Sequence, residues 1–154
     1  MNLQGLKVLR MVATCCAVLF GGSAQAVVID IDNDELAKLM ASGIPVIDVR
    51  TAPEWQQTGV VPGSHLLTFF DERGNATPSA WLEKARTIAK SKEPVIVICR
   101  SGNRTKAVSQ FLSDQVGYAK VYNVKNGIAA WVRDGRTLTP FVSRMSSCGS
   151  SNTC

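Results

Sequence analysis

Two hydrophobic patterns alternate between residues 27 and 133. Val27-Val28-Ile29-Asp30-Ile31, Pro45-Val46-Ile47-Asp48-Val49, Pro94-Val95-Ile96-Val97-Ile98 and Tyr118–Val124 are short apolar runs rich in β-branched residues. Such runs suit strands, and the two central ones suit a parallel sheet covered on both faces. Between the runs the period lengthens. Asp32 with Glu35 three residues later is a capping-box pattern, predicting a helix with Leu36, Leu39 and Met40 on one face and Gly43 as its stop. Thr77-Pro78 opens a second helix, in which Trp81, Leu82, Ala85, Ile88 and Ala89 form one stripe. A third stripe runs through Ala107, Val108, Phe111 and Leu112 to a stop at Gly117, and a short helix is predicted around Ile128–Arg133. This βα alternation predicts a three-layer α/β domain with a mostly parallel sheet.

Composition fits that picture and narrows the partners. A chain of 154 residues with 45% hydrophobic content accommodates one domain with a packed core. Its formal charge of +5 is unevenly spread: Lys7 and Arg10 precede the first acid, Asp30. Without residues 1–26 the charge is +3, and no Lys/Arg cluster marks a nucleic-acid track. A small anionic substrate suits it better.

The N-terminus has the pattern of a targeting segment. A basic start through Arg10 precedes the apolar run Met11–Phe20, then Gly21-Gly22-Ser23 and the small-residue sequence Ala24-Gln25-Ala26. This predicts a signal peptide over 1–26, cleaved after Ala26, and an exported protein, periplasmic in a Gram-negative cell. The run is too short for a stable membrane anchor, which needs about 20 apolar residues. Thr14 before Cys15 argues against a lipoprotein. Residues 27–140 form the predicted domain. Residues 141–154 form a tail, whose Ser, Gly and Asn content from Ser143 to Cys154 predicts flexibility.

The candidate chemistry sits where the strand Val95–Ile98 runs into Cys99-Arg100-Ser101-Gly102-Asn103-Arg104-Thr105. Ligands of open α/β sheets bind at the carboxyl ends of strands, so Cys99 is expected there, facing solvent. A free thiol is mostly protonated at neutral pH. The helix predicted to start near Asn103 offers free N–H groups and a dipole worth about 1 kcal/mol, with Arg100 and Arg104 supplying the remainder. Gly102 allows the turn that aims successive N–H groups inward as an anion nest.

This loop resembles the active-site loop of the rhodanese family, a six-residue cradle from Cys to Arg. The resemblance extends to Asp48-Val49-Arg50 with Glu54-Trp55, to Val61-Pro62-Gly63-Ser64, and to Val124–Trp131, in the family's order. Val60 stands where the family usually has His, and Asn126 replaces the first glycine of a Gly-Gly pair. The resemblance implies a five-stranded parallel sheet in the order 1-5-4-2-3 and a sulfurtransferase. In that reaction Cys99 takes sulfur from a donor such as thiosulfate, forms a persulfide, and passes the sulfur to cyanide or a thiol. Arg100, Ser101, Gly102, Asn103 and Arg104 bind the substrate, and neither a metal nor an organic cofactor is required.

Other readings compete with it. A sulfur-relay or binding module would serve a partner protein through the same loop. A phosphatase or arsenate reductase on this fold uses five residues between Cys and Arg, whereas four intervene here and Ile98 precedes the Cys. Asp48, Arg50 and Glu54 are expected to form one structural salt-bridge and hydrogen-bond set at a strand end, with Arg50 near the rim of the site. His65 and the tryptophans Trp55, Trp81 and Trp131 are assigned to structure and packing, and the protein is expected to be a monomer. Cys148 and Cys154 enclose five small residues, which favours a disulfide between them in an oxidising compartment. A tail that accepts sulfur from Cys99 is the alternative.

Overall fold

The structure is a computed structural model and describes residues 26–142. The predicted signal peptide up to Gln25, and Cys148 with Cys154, lie outside the described residues. Five strands, β1 (Val27–Ile31), β2 (Val46–Asp48), β3 (His65–Leu66), β4 (Val95–Ile98) and β5 (Lys120–Val124), form one sheet in the order β1-β5-β4-β2-β3. Every neighbouring pair is parallel, as the resemblance implies.

Alternation along the strands sorts side chains into two layers. Ile47, Val49, Val95, Val97 and Val121 pack with Trp81, Ala85, Val108, Leu112 and Tyr118 on one face. Val46, Ile96, Ile98, Tyr122 and Val124 pack with Leu36, Ile128 and Trp131 on the other. Helices α1 (Asn33–Ala41) and α5 (Gly127–Arg133) therefore cover the face opposite α3 (Pro78–Ile88) and α4 (Asn103–Gln110). Cys99 has the parity of Val95 and Val97, so its side chain belongs to the α3/α4 layer.

Local signals explain most boundaries. Asp32 Oδ1 accepts the N–H groups of Asp34 and Glu35 at 3.0 Å, capping α1, and Gly43 follows its end at φ +81°. The stripe predicted for α4 is partly shifted. Ala107 is exposed, while Thr105, Val108 and Ser109 are buried, and Phe111–Gln115 continues as a π-helical turn. Ala107 falls just off the buried face, which repeats at three and four residues through Thr105, Val108, Ser109 and Leu112.

One helix was not predicted. In α2 (Ala52–Thr58), Thr51 and Glu54 make a reciprocal capping box and Pro53 lies in the first turn. Beyond α5 the chain returns to this region: Val60 and Thr139 exchange two backbone hydrogen bonds of 2.9 Å. Phe141 then packs edge-on against Trp55 with ring centroids 5.4 Å apart. Val60, where the family usually has His, is thus a buried residue in a backbone bridge.

Candidate active site

The loop after β4 is held from behind by α5. The N–H of Ile128 donates to the Cys99 carbonyl at 2.8 Å, and that of Ala129 to the Arg100 carbonyl at 3.0 Å. This approach leaves no space for a side chain at Gly127, where a Cβ would lie 2.4 Å from the Cys99 oxygen at φ +58°. Gly102, at φ +93°, is crowded as tightly: a Cβ there would lie 1.9 Å from the Lys125 oxygen. Asn126 has φ −108°, which any residue adopts, so replacement of the first glycine of the pair introduces no backbone strain.

With its carbonyls bonded to α5, the loop turns N–H groups toward the sulfur. Gly102 N–H donates to Cys99 Sγ at 3.2 Å, and the Thr105 hydroxyl lies 3.6 Å from the same atom. That hydroxyl also donates to the Gly102 carbonyl at 2.9 Å, which fixes the turn. Cys99 is only 1% exposed, which corrects the expectation that it faces solvent. Its parity points it beneath the first turn of α4 instead of outward.

Burial pushes the Cys99 thiol up, but the Thr105 hydroxyl and the N–H groups of Thr105, Ser101 and Gly102 outweigh it, and the thiol is held below its ordinary value. Arg104 faces the sulfur as a weaker contributor. The helix-start donors thus exceed the arginines to which the sequence reading gave most of this effect.

Arg104 is chiefly occupied elsewhere. Its Nη1 donates to Glu54 Oε2 at 2.8 Å and its Nη2 to Oε1 at 2.5 Å, a two-pronged pair. The Arg104 bonds hold the Glu54 carboxyl down at about 2 against a burial that opposes it, and bonds from Thr51 assist. The expected grouping of Glu54 with Asp48 and Arg50 holds through its backbone, since Arg50 Nη1 donates to the Glu54 carbonyl at 3.3 Å, while the Glu54 carboxylate is turned to Arg104. Arg50 and Asp48 are 1% and 0% exposed and pair with each other, so Arg50 is interior and not on the rim.

Beside the Cys99 loop a cavity of about 510 Å³ is lined by Thr51, Glu54, Asp71, Glu72, Arg100, Ser101 and Arg104, and the buried Cys99 side chain is not part of its lining. Arg100 and Ser101 are exposed at this mouth, and Asn103 is the exposed first residue of α4, for which Gly102 is the N-cap. The structure therefore brings Cys99, Arg100, Ser101, Gly102 and Arg104 to one site, with Asn103 at its edge. Trp55, Trp81 and Trp131 are buried in packing, and His65 is exposed on the edge strand β3.

The sequence reading passed over Thr105, Glu54 and Gly127 as parts of the site. Thr51-x-Pro53-Glu54 carried a helix-start signal that places Glu54 near a strand end. Thr105 sits one turn past Gly102 on the new helix, where a hydroxyl reaches back to the loop. Gly127 is crowded by Cys99 and Arg100 in the loop after β4, distant in sequence, and its signal was its place as the second glycine of the family's Gly-Gly pair.

A buried thiol at the carboxyl end of a central parallel strand, under the N–H groups of the next helix, defines an α/β domain with a cysteine held in a loop of inward N–H groups. The model of the rhodanese-like domain family matches residues 32–134. The chain belongs to this family, and with it to the rhodanese superfamily of sulfurtransferases. It is 32% identical over 108 residues to a sulfurtransferase from Allochromatium vinosum, covering 69% of this chain and 90% of that protein. It is 29% identical to thiosulfate sulfurtransferase 18 of Arabidopsis thaliana, covering 68% and 79%. A rhodanese-related protein from Thermoplasma volcanium superposes with a TM-score of 0.56 at 25% identity, over 73% of this chain and 99% of the other.

Proposed function

We propose that this domain moves sulfane sulfur from a small anionic donor, thiosulfate or a close analogue, to cyanide or a thiol through a persulfide on Cys99. The observation that carries the reading is the Gly102 N–H on Cys99 Sγ at 3.2 Å, within a loop whose other N–H groups also favour the thiolate.

The Cys99 thiolate attacks the outer sulfur of thiosulfate. The bond between the two sulfurs of the donor breaks, sulfite leaves with the electron pair, and Cys99 carries a terminal sulfur with one negative charge. The inward N–H groups and Arg104 stabilise that charge. An acceptor nucleophile then attacks the terminal sulfur, the bond to Cys99 breaks, and the thiolate is restored. Two displacements through one covalent intermediate are ordinary nucleophilic catalysis.

The test is steady-state kinetics with thiosulfate and cyanide varied together. Parallel double-reciprocal lines with thiocyanate as product are expected, and intersecting lines would contradict a free persulfide intermediate. Export belongs to the same proposal. Because β1 begins at Val27, cleavage after Ala26 would leave every described strand and helix intact, and N-terminal sequencing of the secreted protein tests it.

A further inference from the structure

The Glu54 carboxylate is placed by its own helix. Its Oε2 accepts the Thr51 N–H and the Thr51 hydroxyl, each at 3.1 Å, which ties it to the start of α2. Arg50 Nη1 holds the Glu54 carbonyl at 3.3 Å from the other side. Arg104 arrives from the first turn of α4 on a long, rotatable side chain. Both of its terminal nitrogens nevertheless end on this one carboxylate, at 2.8 and 2.5 Å.

That occupancy bears on the reaction because Arg104 also faces the Cys99 sulfur, and both partners line the cavity beside the Cys99 loop. A guanidinium fork takes two oxygens lying in one plane. A carboxylate presents such an edge, and so does the three-oxygen head of thiosulfate. Glu54 thus holds the N–H groups that an anionic donor uses. The two side chains are 29% and 22% exposed, so water solvates either one when they part and the exchange costs little. The other charges at this cavity are Arg100 from the loop, and Asp71 and Glu72 from the segment after β3. Asp71 Oδ1 is engaged within its own turn by the N–H groups of Arg73 and Asn75 at 2.9 and 2.7 Å. Glu54 is therefore the acid that bears directly on Arg104.

We infer that Glu54 is a specificity-determining residue for the sulfur donor: its carboxylate occupies the Arg104 fork in the resting protein, and the anionic head of the donor replaces it there. The inference rests on the reading of a small anionic donor given above and deepens it. No bond to sulfur forms or breaks in this exchange, so Glu54 sets the affinity for the donor and not the rate of attack. Its charge weakens donor binding by competing for the same nitrogens. Sulfate, an anion with a similar oxygen edge and no transferable sulfur, meets the same competition.

Glu54→Gln isolates the charge, because glutamine three residues after the N-cap satisfies the same capping box. Full mature chains of both proteins, matched by urea midpoint, are compared for KM and kcat with thiosulfate and cyanide, and for competitive inhibition by sulfate. In Glu54→Gln the KM for thiosulfate is expected to fall about two- to fivefold, the scale of a part-exposed charge pair, with kcat within about twofold of the unaltered protein. The inhibition constant for sulfate should fall by the same factor. Iodoacetamide alkylation, followed on the Cys99 peptide, gives a readout without turnover. Its midpoint is expected at a pH lower by about 0.3–0.7, because Arg104 then faces the thiolate without its counter-charge. A KM that rises or stays unchanged, or a sulfate constant that does not fall with it, overturns the exchange, since a merely structural Glu54 gives no gain in affinity. Failure of the donor reading itself shows differently, as no sulfite released from thiosulfate by the unaltered protein, and overturns this inference with it.

Discussion

Arg50 and Arg104 each hold a carboxylate through more than one hydrogen bond, but they hold different things together. Arg50 gives Nε and Nη2 to Asp48 and spends its remaining donors on the Glu54 carbonyl, Thr58 Oγ1 and the Gly59 carbonyl. Both charges are buried, and the set fastens the end of β2 to both ends of α2. Arg104 gives its fork to Glu54 alone, the two side chains are 29% and 22% exposed, and both line the cavity beside the Cys99 loop. Glu54 connects the two sets: its carbonyl serves Arg50 and its carboxylate serves Arg104. A buried pair supports the fold because either charge alone is expensive to bury. A pair open to water contributes little stability and leaves its arginine able to exchange partners.

Breaking the interior pair has the largest expected effect. Asp48→Ala leaves Arg50 buried without its partner and should lower unfolding free energy by about 3–5 kcal/mol, measured by urea denaturation. A loss below about 1 kcal/mol, the size expected of a surface pair, would erase the distinction between the two sets.

Breaking the outer pair from the arginine side should affect chemistry instead. Arg104→Ala is expected to reduce kcat/KM for thiosulfate by about ten- to a hundredfold, the equivalent of about 1.5–3 kcal/mol for a charge-assisted contact. Its urea midpoint should stay near that of the unaltered protein. Unchanged kinetics would remove Arg104 from the site.

The smallest effect sharpens the comparison through pH. Glu54 titrates at about 2 in the folded protein against an ordinary value of 4.5. Its contribution to stability is therefore complete above pH 4.5 and is lost as the pH falls toward 2. Partial exposure limits that contribution to about 1 kcal/mol or less. Thermal melts of the unaltered protein and Glu54→Gln should differ slightly at neutral pH and converge over that acid window. A gap that persists unchanged at the acid end would show that the carboxylate charge is not its source.

Much of this architecture was legible because its signals are local. The strand runs, the Asp32 cap, Gly43 and the Thr77-Pro78 helix start are written within a few residues of where they act, and each appears in the fold. The site was legible as a loop for the same reason: Cys99 through Arg104 are consecutive. What escaped depends on contacts between distant residues. Glu54 meets Arg104 across 50 positions, and Gly127, at the start of α5, is pressed by Cys99 and Arg100 in the loop after β4. Cys99 was expected to be open because its place at a strand end was read without the strand's parity, which turns it under α4.

The central claim is that Cys99 takes the sulfur, and a single-turnover measurement of sulfite release tests it most directly. Mature protein and the Cys99→Ser variant, each shown to be folded by its urea midpoint, are mixed with excess thiosulfate in a stopped-flow instrument. One sulfite per chain should be released in a rapid burst from the unaltered protein, and none from Cys99→Ser, because the hydroxyl is not ionised at neutral pH and does not replace the thiolate nucleophile. A burst of equal size and rate from Cys99→Ser would contradict the account.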